Sequence, residues 1–179
     1  MKDIKKRNKA KNYITFALYA LMLKKDYESI SVKEICQRAN VSRMSFYRYY
    51  NQKDDIFVDY CDERFEEFYG EISKKGSNLT IQEFTLEMFK YFERYRRQIT
   101  ILKLAKREYL LLDLLNSYAR YIVANLQSDY LMEQKNNPIF AYFMAGGLFN
   151  VLMNWLDDKN HPSPEDMNNM LYQIAVVRA

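Results

Sequence analysis

Apolar residues in the first quarter of the chain recur with the spacing of amphipathic helices. Within residues 4–24 they fall at i, i+3, i+4 and i+7, as Ile14, Ala17, Leu18 and Leu21. This spacing places them on one helix face. The same spacing returns in a second segment, as Val32, Ile35, Cys36 and Ala39. Ser31 and Glu34 in front of it have the spacing of a capping box, and Asn40 suits the left-handed conformation at a helix end. Two helices are therefore predicted.

A third helix is predicted to begin after Ser42, which can cap it. Rotation by 100° per residue places Phe46 and Tyr50 on a core-facing side. The opposite side and its flanks hold Met44, Ser45, Tyr47, Arg48 and Tyr49. Two short helices joined by a tight turn, the second polar and basic, are typical of a helix-turn-helix. The alternative is a short amphipathic helix whose tyrosines only cover their neighbours.

The rest of the chain also has helical periodicity. The pattern predicts helices over 53–74, 81–94 and 99–126, the last broken near Lys106 and Arg107, followed by helices that begin at Pro138 and after Ser163. With only 4 Gly and 3 Pro, the chain has few of the turn-forming residues that connect the strands of a β-sheet. The sequence predicts an all-α protein.

The segment from Ile139 to Leu156 is almost entirely apolar. A membrane span is one interpretation, but such a span needs about 20 apolar residues, and this segment ends abruptly at Asp157 and Asp158. We favour a buried helix with partners on several sides. Gly146 and Gly147 lie in its middle, where a second helix can approach closely. Aromatic faces in the preceding helices suggest either a closed core or a small-molecule pocket, with Phe89, Tyr118 and Phe143 as candidate walls.

Charge divides the chain into two parts. Residues 1–53 contain 13 Lys and Arg against 4 Asp and Glu, a net charge of +9, whereas residues 54–179 contain 14 against 19, a net charge of −5. A basic head on an acidic body indicates that the head meets a polyanion, either nucleic acid or an anionic membrane. No signal peptide is recognisable, so a cytoplasmic protein with no membrane partner is expected.

Catalytic and metal-binding motifs are missing from the sequence. The single histidine, His161, lies in a polar loop and is expected to be solvated, with no Cys or His at metal-ligand spacing. There is no nucleophile elbow, zinc-protease motif, phosphate loop or dinucleotide fingerprint. We therefore expect no enzyme activity, catalytic residue, metal or cofactor.

The segment from Val41 to Tyr50, followed by Lys53-Asp54-Asp55-Ile56, resembles the recognition-helix signature of TetR-family transcriptional regulators. The resemblance covers about residues 10–57. It implies that Ser45, Tyr47, Tyr49 and Lys53 hold the DNA backbone and that Arg43, Met44 and Arg48 read bases. Met44 replaces a frequent glycine of the family, so operator preference cannot be transferred.

The region around Gly146-Gly147 and Ser163-Pro164 resembles one TetR branch in which two helices from each subunit form a four-helix dimer interface. The resemblance implies an interface that includes Gly146, Gly147, Phe149, Met167, Met170, Leu171 and Ile174. The expected organisation is a three-helix DNA-binding head, residues 1–53, on a helical regulatory and dimerisation domain, residues 54–179.

The expected function is that of a homodimeric regulator of transcription, a repressor that binds double-stranded DNA at a pseudo-palindromic operator and is released by a small hydrophobic effector. Two alternatives remain at this stage. One is a coregulator of the same fold that binds another protein and senses no small molecule. The other is a small helical lipid-binding protein or enzyme.

Overall fold

A computed structural model describes residues 2–76, 79–126, 129–137, 139–157 and 160–176. The described residues form helices and no strand, which confirms the predicted all-α class. The helices in chain order are α1 (Lys2–Met22), α2 (Val32–Ala39), α3 (Arg43–Tyr47), α4 (Asp55–Ser73), α5 (Ile81–Arg94), α6 (Arg96–Leu104), α7 (Glu108–Asn125), α8 (Asp129–Gln134), α9 (Phe140–Trp155) and α10 (Pro164–Val176), with a 3-10 turn at Tyr27–Ser29.

The chain divides into two compact units. The first, called the head unit here, comprises Met1–Glu63 and Ile101–Arg107, and the second, the body unit, comprises Arg64–Thr100 and Glu108–Ala179. Both α4 and α6 therefore contribute residues to each unit.

The head unit is built on the apolar faces that the sequence predicts. α1 packs against α2, and α2 against α3. The most deeply buried side chains come from all four of its main helices, namely Ile14, Leu18, Ile35, Phe46 and Ile56. Burial of this apolar surface is the main term that holds the head unit together, because α2, with 8 residues, and α3, with 5, are too short to be stable alone in water.

The body unit packs helices in pairs, α7 against α9 and α5 against α10. Its core contains Phe89, Leu126, Leu152 and Trp155, and the rings of Phe89 and Trp155 meet edge to face with centroids 5.4 Å apart. A buried polar pair joins α5 to α10, where the Thr85 hydroxyl donates to the side-chain oxygen of Asn168.

Helix ends differ from the predicted ones at several points. The predicted break near Lys106 is confirmed, since Lys106 has φ +55° between α6 and α7. The predicted break after Arg94 is confirmed, but α6 begins at Arg96 and not at Ile99, and the short α8 was not predicted. Pro138 lies outside the described residues, and the Asn137 side chain accepts the amides of Ile139 and Phe140, both at 3.2 Å, at the start of α9.

The expectation of a solvated His161 is wrong. Its side chain is 12% exposed, and its ring meets Trp155 edge to face with centroids 5.3 Å apart. The loop folds back because the Trp155 indole N–H donates to the Pro162 carbonyl at 2.8 Å. Arg96 contacts the imidazole and donates to the Leu156 carbonyl at 3.0 Å. These contacts hold His161 and Pro162 against the end of α9.

Candidate nucleic-acid interface

Local capping contacts set the angle between α2 and α3. The Ser31 hydroxyl accepts the Glu34 amide at 3.3 Å, and the Glu34 carboxylate accepts the Ser31 amide at 2.9 Å. Asn40 ends α2 at φ 53° and ψ 47°, a left-handed conformation that asparagine tolerates. The Ser42 hydroxyl then accepts the Ser45 amide at 3.0 Å and starts α3. Both predicted caps and the predicted turn are confirmed.

Two buried aromatic residues hold α3 against the head unit. Phe46 is fully buried, Tyr50 is almost so, and their ring centroids lie 5.6 Å apart. The Tyr50 hydroxyl donates to Asp59 on α4 at 2.8 Å. The core-facing side of the third helix is the one the sequence predicts.

The opposite side of this segment is open to solvent. Met44 is 82% and Tyr47 57% exposed. Arg43 and Arg48 are exposed, and Ser45 and Tyr49 are half-buried. The structure thus brings these six predicted contact residues together on one short segment, with two guanidinium groups and a flexible thioether at its most exposed positions. Such side chains can reach base edges in a major groove, while phenols and hydroxyls can donate to phosphates.

Lys53, the seventh predicted contact, is placed differently. α4 begins two residues later than predicted, at Asp55, whose carboxylate accepts the Asn51 amide at 2.7 Å. The Lys53 ammonium turns back and donates to the carbonyls of Tyr27 at 2.6 Å and Ile30 at 3.1 Å. It also lies 4.1 Å from the Tyr27 ring centroid. Burial lowers the pKa of this amine. A phosphate contact by Lys53 stays a prediction.

An ionic cluster that the sequence analysis missed surrounds Tyr27. The Arg107 guanidinium pairs with Glu28 and, through Nε at 3.3 Å, with Asp54. Its central carbon lies 5.0 Å from the Tyr27 ring centroid, and the Lys53 ammonium makes a second cation–π contact with the same ring. The Tyr27 hydroxyl donates to Asp54, and burial followed by this hydrogen bond raises the pKa of the phenol. The only signal in the sequence at any residue of this cluster was the predicted helix break near Arg107.

The three candidate walls of an effector pocket lie in different environments. Phe89 is fully buried against Trp155, whereas Phe143 is 74% exposed. Tyr118 is half-buried and stacks on Phe65 with ring centroids 4.0 Å apart. Two open clefts of about 310 and 300 Å³ occur in the body unit, and neither is lined by any of these three side chains. The structure does not join them in one cavity.

The predicted dimer residues lie on α9 and α10. Gly147 and Met170 are exposed, and Gly146, Phe149, Met167 and Leu171 are half-buried, while the side chain of Ile174 lies outside the described residues. α9 buries Ala141, Ala145, Leu152 and Trp155 on its inner side. The exposed residues Tyr142, Phe143, Gly147, Asn150 and Asn154 are spaced 1, 4, 3 and 4 apart and form the outer α9 face.

The glycine pair on α9 meets open space within the chain. A methyl group added at either Gly146 or Gly147 would find no atom of another part of the described chain within 4 Å. The helix that these glycines were predicted to admit is therefore not supplied by the described part of this chain.

Comparison with known proteins places both halves of the chain in one family. Residues 14–60 match the model described as bacterial regulatory proteins of the TetR family, and residues 79–176 match the model of a transcriptional regulator C-terminal region belonging to the same family. The chain belongs to the TetR family. Members of this family are DNA-binding transcriptional regulators and not enzymes.

A relative in Bacillus subtilis (strain 168), the uncharacterized HTH-type transcriptional regulator YxbF, is 22% identical over 166 residues, which is 89% of this chain. The alignment covers 43% of the length of YxbF, so this chain spans less than half of that protein.

Solved structures share the TetR fold over nearly the whole chain. A TetR transcriptional regulator from Streptococcus agalactiae 2603V is 23% identical, with a TM-score of 0.64 and 98% of each chain covered. Lin0861 from Listeria innocua is 15% identical, with a TM-score of 0.81 over 96% of this chain and 92% of the other. The dihydroxyacetone kinase operon activator DhaS is 16% identical, with a TM-score of 0.60 over 94% and 95%.

The part of this TetR-family chain that the structure describes contains no group of three His, Cys, Asp or Glu side chains placed to hold a metal ion. Within the same residues, no helix combines the length and apolar content needed to cross a membrane.

Proposed function

We propose that the chain binds a pseudo-palindromic DNA operator as a homodimer and represses transcription there. One observation carries the DNA-binding part: α3 is fixed to the core by Phe46 and Tyr50, and its outer side exposes Arg43, Met44 and Arg48. A rigid, basic, outward-facing short helix is what major-groove reading requires. The head, residues 1–53, also has a net charge of +9, whereas residues 54–179 have a net charge of −5. Since its target is chromosomal DNA, we place the protein in the cytoplasm.

The contact residues in this proposal are Arg43, Met44 and Arg48 for bases, and Ser45, Tyr47, Tyr49 and Lys53 for the backbone. Arg48→Ala should cost about 1–3 kcal/mol at one base pair and relax the preference there. The measurement is selection of bound sites from random DNA, followed by titration of the selected site and its single-base variants. Arg97→Ala, which removes an exposed guanidinium in the body unit, is the matched control. Equal losses in both variants would contradict the groove assignment.

Dimerisation is proposed because one five-residue helix offers too little surface for a specific site. Two heads on half-sites roughly 34–36 Å apart supply the rest. The outer α9 face and the exposed part of α10 support this proposal, since aromatic rings and an open glycine pair on one face leave room for a second copy to pack closely. The regulatory and dimerisation domain is accordingly placed at residues 54–179.

Gly147→Leu tests the interface directly. Because a side chain at this position meets no other part of the chain, the variant should fold and yet dissociate into monomers with poor operator affinity. Gly70→Leu, also at a helical glycine with open surroundings, controls for the gain in helix propensity. Sedimentation of both variants at micromolar concentration is the measurement, and a Gly147→Leu dimer as stable as the wild type would contradict the proposed interface.

Repression follows from occupancy, because a bound dimer excludes other proteins from its operator. Release by a hydrophobic effector was the expected signal, but Phe89, Tyr118 and Phe143 share no cavity. That arrangement favours the coregulator alternative, in which the body unit binds another protein through exposed apolar side chains.

A thermal-shift screen of aromatic and aliphatic compounds, followed by operator titration, separates the two regulatory modes. An effector must weaken operator binding by the same factor by which operator weakens effector binding, typically 5- to 150-fold. Compounds that stabilise the protein without changing operator affinity would remove the effector claim and leave DNA binding intact.

A further inference from the structure

Met44 has the most exposed large apolar side chain in the part of the chain that the structure describes. It is 82% exposed on the outer side of α3, whereas Phe46, two residues later, is fully buried. The backbone at Met44 is fixed, because the Ser42 hydroxyl caps the first turn and the Met44 carbonyl accepts the Arg48 amide at 3.1 Å. A long apolar side chain is therefore held in solvent by a rigid backbone.

The chemistry of methionine limits what Met44 can read. Its thioether has no hydrogen-bond donor and is a weak acceptor, and its unbranched chain adapts to an irregular surface. In the major groove the bases present ring nitrogens, carbonyls and amino groups, together with one methyl group, on C5 of thymine. A thioether over the polar groups removes their water without replacing its hydrogen bonds. Over the thymine methyl, it buries apolar surface on both sides.

We propose that Met44 selects a thymine in each operator half-site by packing its thioether against the C5 methyl group. The inference rests on the proposed function, because it needs α3 to lie in the major groove, and it adds the identity of one base. A glycine, frequent at this position in the family, has no side chain to make such a contact. Selection of thymine by residue 44 is therefore a property of this chain.

Arg48 sets where this thymine lies relative to a second base. Met44 and Arg48 are four residues apart on one face of the helix, so their Cα atoms are about 6 Å apart along its axis. Base pairs stack about 3.4 Å apart, so the two side chains reach base pairs no more than about two steps apart. A guanidinium pairs with O6 and N7 of guanine. Each half-site is thus expected to contain a thymine within about two steps of a guanine.

The other side chains on this side of α3 are less suited to the methyl group. Ser45 is short and half-buried, and Arg43 is charged. Tyr47 is exposed, but its ring is held edge to face against Phe46, with centroids 5.4 Å apart. Met44 is the side chain on this surface that combines length, apolar character and freedom to move.

The test removes the methyl group from the DNA and changes nothing else. In the operator selected from random DNA, each thymine is replaced in turn by deoxyuridine, which lacks only the C5 methyl. At one position in each half-site the wild type should lose about fourfold in affinity, the value of burying one methyl-sized group, or about 15-fold when both half-sites are changed. Titration of each modified operator is the measurement.

Two substitutions connect the methyl group to the side chain. Met44→Ala preserves the helix, because alanine is the best helix former, and should bind the thymine and deoxyuridine operators with equal affinity. Met44→Gln keeps the length and adds an amide that pairs with N6 and N7 of adenine. Site selection with this variant should therefore replace thymine by adenine. Met132→Ala, which shortens an exposed methionine of the body unit, is the control and should retain the full loss with deoxyuridine.

The outcomes separate this inference from the proposed function. A wild type that selects no DNA site removes both. A wild type that selects a site but tolerates deoxyuridine at every thymine overturns the inference and leaves DNA binding intact. Equal sensitivity to deoxyuridine in the wild type and in Met44→Ala also overturns it, because another residue or the deformability of the DNA then accounts for the effect of the methyl group.

Discussion

The head and body units obtain their candidate sites in opposite ways. In the head, residues 31–50 contain both caps, the left-handed turn and the exposed side chains, so consecutive residues make the site and the frame that holds it. In the body, the candidate residues Phe89, Tyr118 and Phe143 come from three different helices. Phe89 lies in the closed core, Tyr118 stacks on a neighbouring ring, and Phe143 lies on the outer surface. A site made of neighbouring residues can be read from sequence, whereas one made by packing cannot.

The prediction with the largest expected effect tests whether the side chains of Phe89 and Phe143 differ in burial. Phe89→Ala should destabilise the protein by about 3–5 kcal/mol, because it leaves a cavity against Trp155. Phe143→Ala should change the stability of a single subunit by no more than about 0.5 kcal/mol, since its ring is mostly in solvent. Urea unfolding over a range of protein concentrations measures both. A cost below about 1 kcal/mol for Phe89→Ala would contradict the closed core.

The second prediction concerns the cluster around Tyr27, where the head unit depends on a residue far along the chain. Arg107→Ala should destabilise the head unit by about 2 kcal/mol, less than for a fully buried pair because the groups are partly solvated. Hydrogen exchange at Tyr27–Ile30 should accelerate, and operator affinity should fall. Arg97→Ala is the control, and Arg107→Lys should rescue only partly because lysine lacks the guanidinium fork. An unaffected Arg107→Ala variant would show that the first 63 residues are sufficient.

A third prediction uses capping boxes that occur in both units with the same geometry. Ser31 caps α2 and Thr80 caps α5, and each hydroxyl accepts the amide three residues later, at 3.3 and 3.2 Å. Ser31→Ala and Thr80→Ala should each cost about 1 kcal/mol. Only Ser31→Ala should also weaken operator binding, because α2 supports α3. Calorimetry and operator titration of the pair provide the comparison, which fails if Thr80→Ala weakens DNA binding equally.

The smallest effect is a difference in acid sensitivity between the same two boxes. The hydrogen bond from Lys25, and after it the one from the Ser31 amide, lower the pKa of Glu34 to about 2. The pKa of Glu83 is also lowered, chiefly by the hydrogen bonds that it accepts from Thr80. Because the folded pKa of Glu34 lies below its ordinary value of 4.5, its contribution is complete above about pH 4.5 and is lost as the pH falls toward 2.

Glu34→Gln should therefore reduce the loss of stability at acid pH more than Glu83→Gln does. Unfolding midpoints measured from pH 2 to 6 in the wild type and both variants provide the check. Equal flattening by the two substitutions would show that the pair with Lys25 adds nothing to the head unit.

The sequence predicted most where short-range physics decides. The bounds of α2 and α5, the cap at Ser42, the turn at Asn40 and the break at Lys106 all depend on residues within a few positions of each other. Contacts between distant residues were not predictable from periodicity. Arg107 meets Glu28 across 79 positions and Arg96 meets His161 across 65, and these long-range pairs account for the missed cluster and for the wrong expectation of a solvated His161.

Inclusion of residues 101–107 in the head unit has a consequence for the order of events during synthesis. The ribosome adds about 5–20 residues per second, so the 44 residues from Arg64 to Arg107 take about 2–9 s to make. During that interval Glu28 and Asp54 are present without the Arg107 guanidinium. The head unit of the nascent protein is therefore completed only after residues 64–100 of the body unit have been translated, and a chain that stops before Arg107 carries α3 in an unfinished head unit.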